Sequence, residues 1–457
     1  MAAGRRRLEC LCGHVVARPT AKAAPIAPRL ALESHRDGAD AQMDAEQMDA
    51  ELRRLFGPHC KTEGPLMACG GGVRLHGVDL TPRLSPEQAA FLVGVLDRRR
   101  VVCIAGQDLE SYSLQHFERF ANHFGAVTPH PNNFIGPEAG QWTDDEGSVR
   151  VMPLEDRPAA ITSRRFPGQL ATLPHTSTAV LTVSNFGGDP ETAGPPQDPQ
   201  PGAGGGFHTD IEYEPIPIAV SMFLVHKVPT ARAAPDGSWV GDVGPGDPRA
   251  PWDDEKNRFY REGRPMTDEL HRVRHMHKPT NGETVFVDLA AAFAGLPAEE
   301  RAALEQLQVR RRQRHGEEGW LGPLVRTNPR SGIKSLYSPW NCRGSGIPPI
   351  EVQGMSSDES NALLDRLELQ CLQPEYRYNH PHQVGDVTIW DLYATLHAVP
   401  PLRSNVDSID DARLMYRLST KGEPCYALPR RDDEGWLAQH VATGYTTDLA
   451  TVNLGLR

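Results

Sequence analysis

The sequence predicts a mainly β fold, a β-sandwich or jelly roll with helices packed outside. Three observations predict it. Short apolar or alternating runs recur along the chain at 72–80, 98–106, 207–229, 280–288, 384–399 and 412–422. The helical patterns are few, and two of them open at serine caps. Gly (42) and Pro (40) concentrate between these runs, as loops joining many short strands require.

In chain order, AQMDAEQMDAELRRLF (41–56) repeats QMDAE once and carries the spacing of a short amphipathic helix. GGVRLHGVDL alternates like a strand. Ser85-Pro86-Glu87 opens a helix to about Arg98, with serine as cap and proline in the first turn. RRRVVCIAG (98–106) reads as a buried strand, and SLQHFERFANHFG (113–125) as an amphipathic helix ended by Gly125. FHTDIEYEPIPIAVSMFLVHKVP (207–229) reads as two strands around a proline-rich bend. TNGETVFVDLAAAFAGL (280–296) is a turn, a strand and a helix. SSDESNALLDRLELQCL (356–372) is a second capped helix. VGDVTIWDLYATLHAV and ARLMYRLSTKG close the chain's folded part with strands. Residues 185–206 and 230–275 are rich in Gly, Pro and charge, and read as insertions. The expected organisation is an N-terminal tail with a short helix (1–60), one domain (61–430) and a C-terminal extension (431–457).

Composition narrows the function. A hydrophobic content of 39% suits a globular core. The net charge of −11 argues against nucleic-acid or anionic-membrane partners, which need a basic field. The eight cysteines have no CxxC pair, which points to free thiols in a reducing compartment. A cytoplasmic location is expected. The alternative is a mitochondrion or plastid, because residues 1–32 hold five arginines and a single acid, although serine is missing there.

His208-Thr209-Asp210 is the first chemical feature. On an extended segment, side chains repeat every two residues, so the imidazole and the carboxylate would share a face. Two histidines and one carboxylate make the facial triad of non-haem Fe(II), which leaves open positions for a chelating co-substrate and O2. A plain His–Asp hydrogen bond explains HxD alone equally well. The third ligand must come from a strand folding back, and His397, after GDVTIWD, is the candidate; a satisfied core histidine is the alternative. Arg413 and Arg417, four apart in ARLMYRLS, would share one strand face and need anions if buried. A dicarboxylate and an anionic substrate would serve, as would surface pairing with Asp407, Asp410 and Asp411.

Taken together, these segments resemble the taurine dioxygenase / 2,4-dichlorophenoxyacetate dioxygenase family of Fe(II)/2-oxoglutarate-dependent oxygenases. The resemblance rests on GVRLHGVDLTPRLSPEQAAFL, FERFANHFGAVTPHP, FHTDIEYEPIP, NGETVFVDLAAAFAGLP, PEYRYNHPHQVGDVTIWD and ARLMYRLS, in the family's order from about 72 to 422. It implies a double-stranded β-helix (jelly-roll) core. It implies Fe(II) as metal, with 2-oxoglutarate and O2 as co-substrates and succinate and CO2 as products. His208, Asp210 and His397 fall on the iron ligands. Thr284 and Arg413 fall on the residues that hold the 2-oxoglutarate carboxylate, and Arg417 and His130 on the substrate side. The expected substrate is a small organic anion: a sulfonate, sulfate, carboxylate or aryloxy acid. Halogenating relatives lack the carboxylate ligand, so Asp210 favours hydroxylation.

There are departures. Leu392 stands where the family commonly has asparagine after WD. Asn132-Asn133-Phe134 replaces a substrate-contacting tyrosine, which weakens taurine itself as substrate. Competing explanations are a zinc site at His271, His275 and His277, a non-catalytic jelly-roll binding protein, an oxygenase acting on protein or lipid, and a small zinc module at Cys10, Cys12 and His14. Homo-oligomerisation is left open by the sequence.

Overall fold

The computed structural model describes residues 38–133, 151–188, 194–196, 207–212, 217–230, 269–270, 273, 283–312, 316, 318–339, 350–398 and 404–422. Residues 1–32, Cys10, Cys12, His14, Phe134, His271, His275, His277, the 431–457 extension and most of both insertions lie outside the described residues.

The elements run α1 (Gly38–Phe56), β1 (Lys61–Glu63), β2 (Val73–His76), α2 (Pro86–Arg99), β3 (Val101–Ile104), α3 (Leu114–Ala121), α4 (Pro158–Thr162), β4 (Leu181–Ser184), β5 (Ile218–Lys227) and β6 (Thr284–Asp288). Then come α5 (Leu289–Ala294), α6 (Ala298–Leu304), β7 (Gln308–Arg311), β8 (Trp320–Pro323), β9 (Val325–Thr327), β10 (Lys334–Leu336), β11 (Glu351–Val352) and α7 (Ser357–Cys371). β12 (Arg377–His380), β13 (Val387–Asp391), β14 (Thr395–Ala398) and β15 (Leu414–Lys421) complete the described chain. The fold is mainly β, as expected, around a large mixed sheet with flanking helices.

That sheet has seven strands in the order β1-β2-β3-β13-β5-β15-β4, antiparallel except for β2 beside β3. A second sheet, β12-β6-β14, is antiparallel throughout. The two meet through Phe223 of β5, Trp390 of β13 and Phe286 of β6. The Trp390 ring lies 4.9 Å from that of Phe223 and 5.5 Å from that of Phe286. All three are buried among Val101, Val225 and Met415. Buried aromatic surface of this kind is the main cohesive force between layers.

Local sequence explains most boundaries. Ser85 and Gln88 form a reciprocal capping box at α2, and Ser356 with Glu359 does the same at α7. Helix α1 is longer than its amphipathic pattern suggested, and it buries Met48 and Leu52 against the body. Helix α3 is shorter than read: it stops at Ala121 with Asn122 as cap, and Gly125 instead serves a later turn against Thr420. The 207–229 segment is also corrected. Among its described residues only β5 is a strand, and His208 makes an isolated bridge with His397. The turn before β13 needs Gly385, whose φ is 83° and where a Cβ would sit 2.3 Å from the Gln107 carbonyl oxygen.

Beside that turn lies a buried polar cluster. Both oxygens of Asp386 accept from Arg74 at 2.9 Å and further bonds come from the backbone N–H groups of Gly106 and Gln383. Cys103 and His380 adjoin it, and His380 Nε2 bonds to the Thr388 hydroxyl at 2.9 Å. With a guanidinium already on its carboxylate, this cluster reads as a pin between β2, β3, β12 and β13. Burial, helped by Arg74, pushes the His380 imidazole down to about 3 from 6.5. The unfolded chain therefore takes up a proton below about pH 6.5 that the folded chain refuses until about 3. Stability contributed by neutral His380 is full above pH 6.5 and is lost as pH falls toward 3. Urea unfolding from pH 7 to 4 should show this decline, and His380→Gln should flatten it; an unchanged slope in the variant would contradict the assignment.

Candidate metal centre

The structure brings His208, Asp210 and His397 together, each offering one ligand atom within 4.8 Å of the others. The backbone bridge sets two of them. His208 and His397 exchange N–H···O bonds of 2.9 Å in both directions, which brings their rings to 4.2 Å. His397 sits on β14 opposite Phe286 of β6, and Trp390 packs 5.3 Å from its ring.

Asp210 arrives differently from the sequence expectation. It lies in a turn, not on a strand, so period-two alternation is not what aligns it with His208. Ile211, next in the chain, has φ 55° and packs into the apolar cluster between the sheets. This kink aims the carboxylate inward. Asp210 Oδ1 lies 3.5 Å from His208 Nε2 and 3.7 Å from His397 Nε2. Oδ2 faces the large sheet: it accepts from Ser221 Oγ of β5 at 3.1 Å and pairs with Arg417 Nη2 of β15 at 2.7 Å. Ser221 in turn meets Ser419 Oγ at 2.8 Å. Burial opposes the charge on Asp210, but Arg417, His397 and His208 outweigh it and hold the carboxyl well below its ordinary range.

Two imidazoles and a charged carboxylate oxygen directed at one point suit a borderline divalent ion such as Fe(II). The outer oxygen is already satisfied, which leaves Oδ1 as the metal-facing one.

Thr284 begins β6, two residues from Phe286, and so shares its face toward the space between the sheets. It is buried, and its Oγ1 lies 2.9 Å from His382 Nε2. Arg413 is buried just before β15. Burial lowers its guanidinium to about 10, opposed by the charge of Glu283. Its backbone N–H donates to Asn185 Oδ1 at 2.7 Å, and Asn185 Nδ2 donates to the Asp411 carbonyl. Along β15 the alternation holds: Leu414, Tyr416 and Leu418 enter one apolar cluster, while Met415, between Arg413 and Arg417, packs in the cluster between the sheets. The two arginines meet different acids there, Glu283 and Asp210.

His130 lines a small pocket with Thr128, Ala179, Leu181, Ile218 and Arg417. Burial and then Arg417 push its imidazole down to about 3, against the pull of Asp210. Its Nδ1 accepts from the Asn132 N–H at 3.2 Å, so a neutral His130 carries its proton on Nε2. Leu392, at the departure after WD, is buried and its N–H bonds the Ala219 carbonyl. The neighbouring Asp391 is held by Asn328 at 2.5 Å, and burial raises its carboxyl to about 6 despite Arg330.

Sequence reasoning missed Ser221, Ser419, Glu283, Asn185 and His382. Serines inside a strand carry no signal by themselves. The HPH preceding the QVGD turn was a visible but unread cue for His382.

Residues 256–418 match the model of the "Taurine catabolism dioxygenase TauD, TfdA family". Over that segment the chain is similar to the TauD/TfdA family. It holds Thr284, His397, Arg413 and Arg417, while His208 and Asp210 precede it. The folded chain thus joins an HxD outside the TauD/TfdA segment to a histidine inside it. Pentalenolactone F synthase of Streptomyces arenae is 30% identical over 143 residues, 26% of this chain and 46% of the relative. The alpha-ketoglutarate-dependent 2,4-dichlorophenoxyacetate dioxygenase of Burkholderia sp. (strain RASC) is 27% identical over 168 residues, 33% of this chain and 52% of the relative. The chain therefore spans about half the length of these curated relatives. A crystal structure of a taurine dioxygenase from Burkholderia xenovorans superposes with a TM-score of 0.47 and 23% identity, covering 80% of this chain and 92% of that one. No helix among the described residues is long and apolar enough to cross a membrane.

Among the described residues, the Ser221 hydroxyl bonds the outer oxygen of Asp210 and the Ser419 hydroxyl. Ser221→Ala should therefore weaken divalent-metal binding by roughly tenfold without removing it, as loss of a ligand's supporting hydrogen bond generally does. Calorimetric titration with Mn(II) checks this, and unchanged affinity would remove Ser221 from the centre.

Proposed function

We propose that the chain is an Fe(II)- and 2-oxoglutarate-dependent dioxygenase with a double-stranded β-helix core. It hydroxylates a small organic anion, a sulfonate, sulfate, carboxylate or aryloxy acid, with succinate and CO2 as co-products. The observation that carries the reading is the convergence of His208, Asp210 and His397 from distant parts of the chain. The relatives' printed names, alpha-ketoglutarate-dependent dioxygenases among them, support the same reaction class.

In this reading His208 Nε2, His397 Nε2 and Asp210 Oδ1 hold the metal. Bound Fe(II), with 2-oxoglutarate and O2, supplies the oxidising power for attack on a C–H bond. Everything else falls to the chain's own residues. Arg413 is buried, so a carboxylate reaching it meets an unscreened charge and a planar donor fork. Thr284 adds a hydroxyl from β6. Arg417 and His130 face the pocket whose apolar wall is Ala179, Leu181 and Ile218. Arg417 uses Nη2 for Asp210, and its buried Nε has no acceptor among the described residues. Neutral His130 contributes a donor from Nε2. A cation and a donor beside an apolar wall suit a compact anion with a carbon skeleton.

Anaerobic titration with Fe(II) and then 2-oxoglutarate should give the weak visible charge-transfer band of a chelated oxoacid, and Asp210→Ala should lose it. Succinate release with a panel of sulfonates, sulfates and aryloxy acids then identifies the substrate class. Absence of the band in iron-loaded wild-type protein would sink the proposal.

The two arginines should separate in kinetics. Arg413→Ala should raise KM for 2-oxoglutarate by at least about tenfold, the size of a lost charged hydrogen bond, with a much smaller change for the substrate. Arg417→Ala should do the reverse; an unchanged substrate KM would remove Arg417 from the substrate side.

A further inference from the structure

Thr284 has a buried partner that no sequence motif assigned. His382 lies two residues beyond β12, whose antiparallel register sets His380 opposite Thr284. Beyond Pro381, His382 Nε2 stands 2.9 Å from Thr284 Oγ1. Thr284 is 1% exposed and His382 is wholly buried. The imidazole is boxed in. Its ring meets that of Phe223 at 6.0 Å and 83°, and that of His380 at 4.7 Å and 85°. Edge-on contacts on two sides oppose rotation of the ring away from Thr284.

The direction of this hydrogen bond decides what Thr284 can do. A hydroxyl has one proton and two acceptor lone pairs. If Nε2 were bare, Thr284 would direct its proton to the imidazole and turn lone pairs toward an incoming carboxylate. If Nε2 carries a hydrogen, Thr284 accepts from it, and its own proton remains for the anion. Only the second arrangement makes Thr284 a donor to a carboxylate. Successive donors also polarise one another, which strengthens the last bond of the chain.

We infer that His382 is a positioning residue: its Nε2–H donates to Thr284 Oγ1 and thereby directs the threonine hydroxyl proton onto the carboxylate of 2-oxoglutarate. The inference rests on the proposed role of Thr284, and the test keeps the two apart. The contact through which His382 would act is its bond to Thr284 Oγ1.

The measurement is the affinity of the Mn(II)-loaded full chain for 2-oxoglutarate, read by isothermal titration calorimetry. Thr284→Val and His382→Phe should each weaken binding by about tenfold, the scale of one hydrogen bond to a charged group. Adding His382→Phe to Thr284→Val should cost nothing further, because the relay is already broken. His382→Gln, which offers an amide N–H near the same place, should stay within about twofold of wild type. If Thr284→Val weakens binding and His382→Phe does not, the positioning role of His382 is overturned and the role of Thr284 stands. If Thr284→Val has no effect, the assignment of Thr284 fails and the inference falls with it. Should the phenylalanine variant not fold, NMR of histidine-labelled wild-type protein still decides: a protonated Nε2 on His382 is expected, and a bare Nε2 overturns the inference.

Discussion

The carboxylate of Asp210 divides its two oxygens between the metal-facing side and the large sheet, and the rest of the centre depends on that division. Oδ1 looks toward the two imidazoles held by the His208–His397 bridge. Oδ2 is fastened to β5 and β15 through Ser221 and Arg417. One side chain thus couples the edge of the small sheet to the middle of the large one. An acid buried between apolar layers would ordinarily give up its charge. Here the guanidinium and the imidazoles keep it ionised, and an ionised oxygen is what a hard-to-borderline cation needs.

The same coupling places Arg417 between two functions. It neutralises the outer oxygen of a metal ligand and also lines the pocket beside His130. Arg413, by contrast, is set apart at the start of β15, with Glu283 as its charged neighbour and Asn185 pinning its backbone. Two arginines four residues apart in the sequence are thereby given separate tasks by the different acids they meet.

How much of this could be read beforehand differs by level. Helices α2 and α7 were legible because Ser85, Gln88, Ser356 and Glu359 are local signals. Strands β3, β6, β13 and β15 were legible as apolar runs. His208, Asp210 and His397 were legible as a set through resemblance, and the structure does bring them together. The physical reason offered for the HxD pair was wrong, however, because a turn after Asp210 rather than a strand aims it. The contacts of Ser221 with Asp210, His382 with Thr284 and Asn185 with Arg413 were not legible. Each joins residues from separate elements through a single side-chain bond, and neither periodicity nor charge pattern records such a bond.

Ile211 shows what the site costs the fold. A β-branched residue at φ 55° stands in a conformation that glycine or asparagine adopts far more easily, a strain of about 1–3 kcal/mol. Its side chain is kept in place by the apolar cluster between the sheets. A laboratory selection for heat tolerance, blind to turnover, would be drawn to this position early, since relaxing it raises the melting temperature. The winners of such a selection would hold their carboxylate less firmly, so screens for robust variants of this protein need an activity gate from the first round.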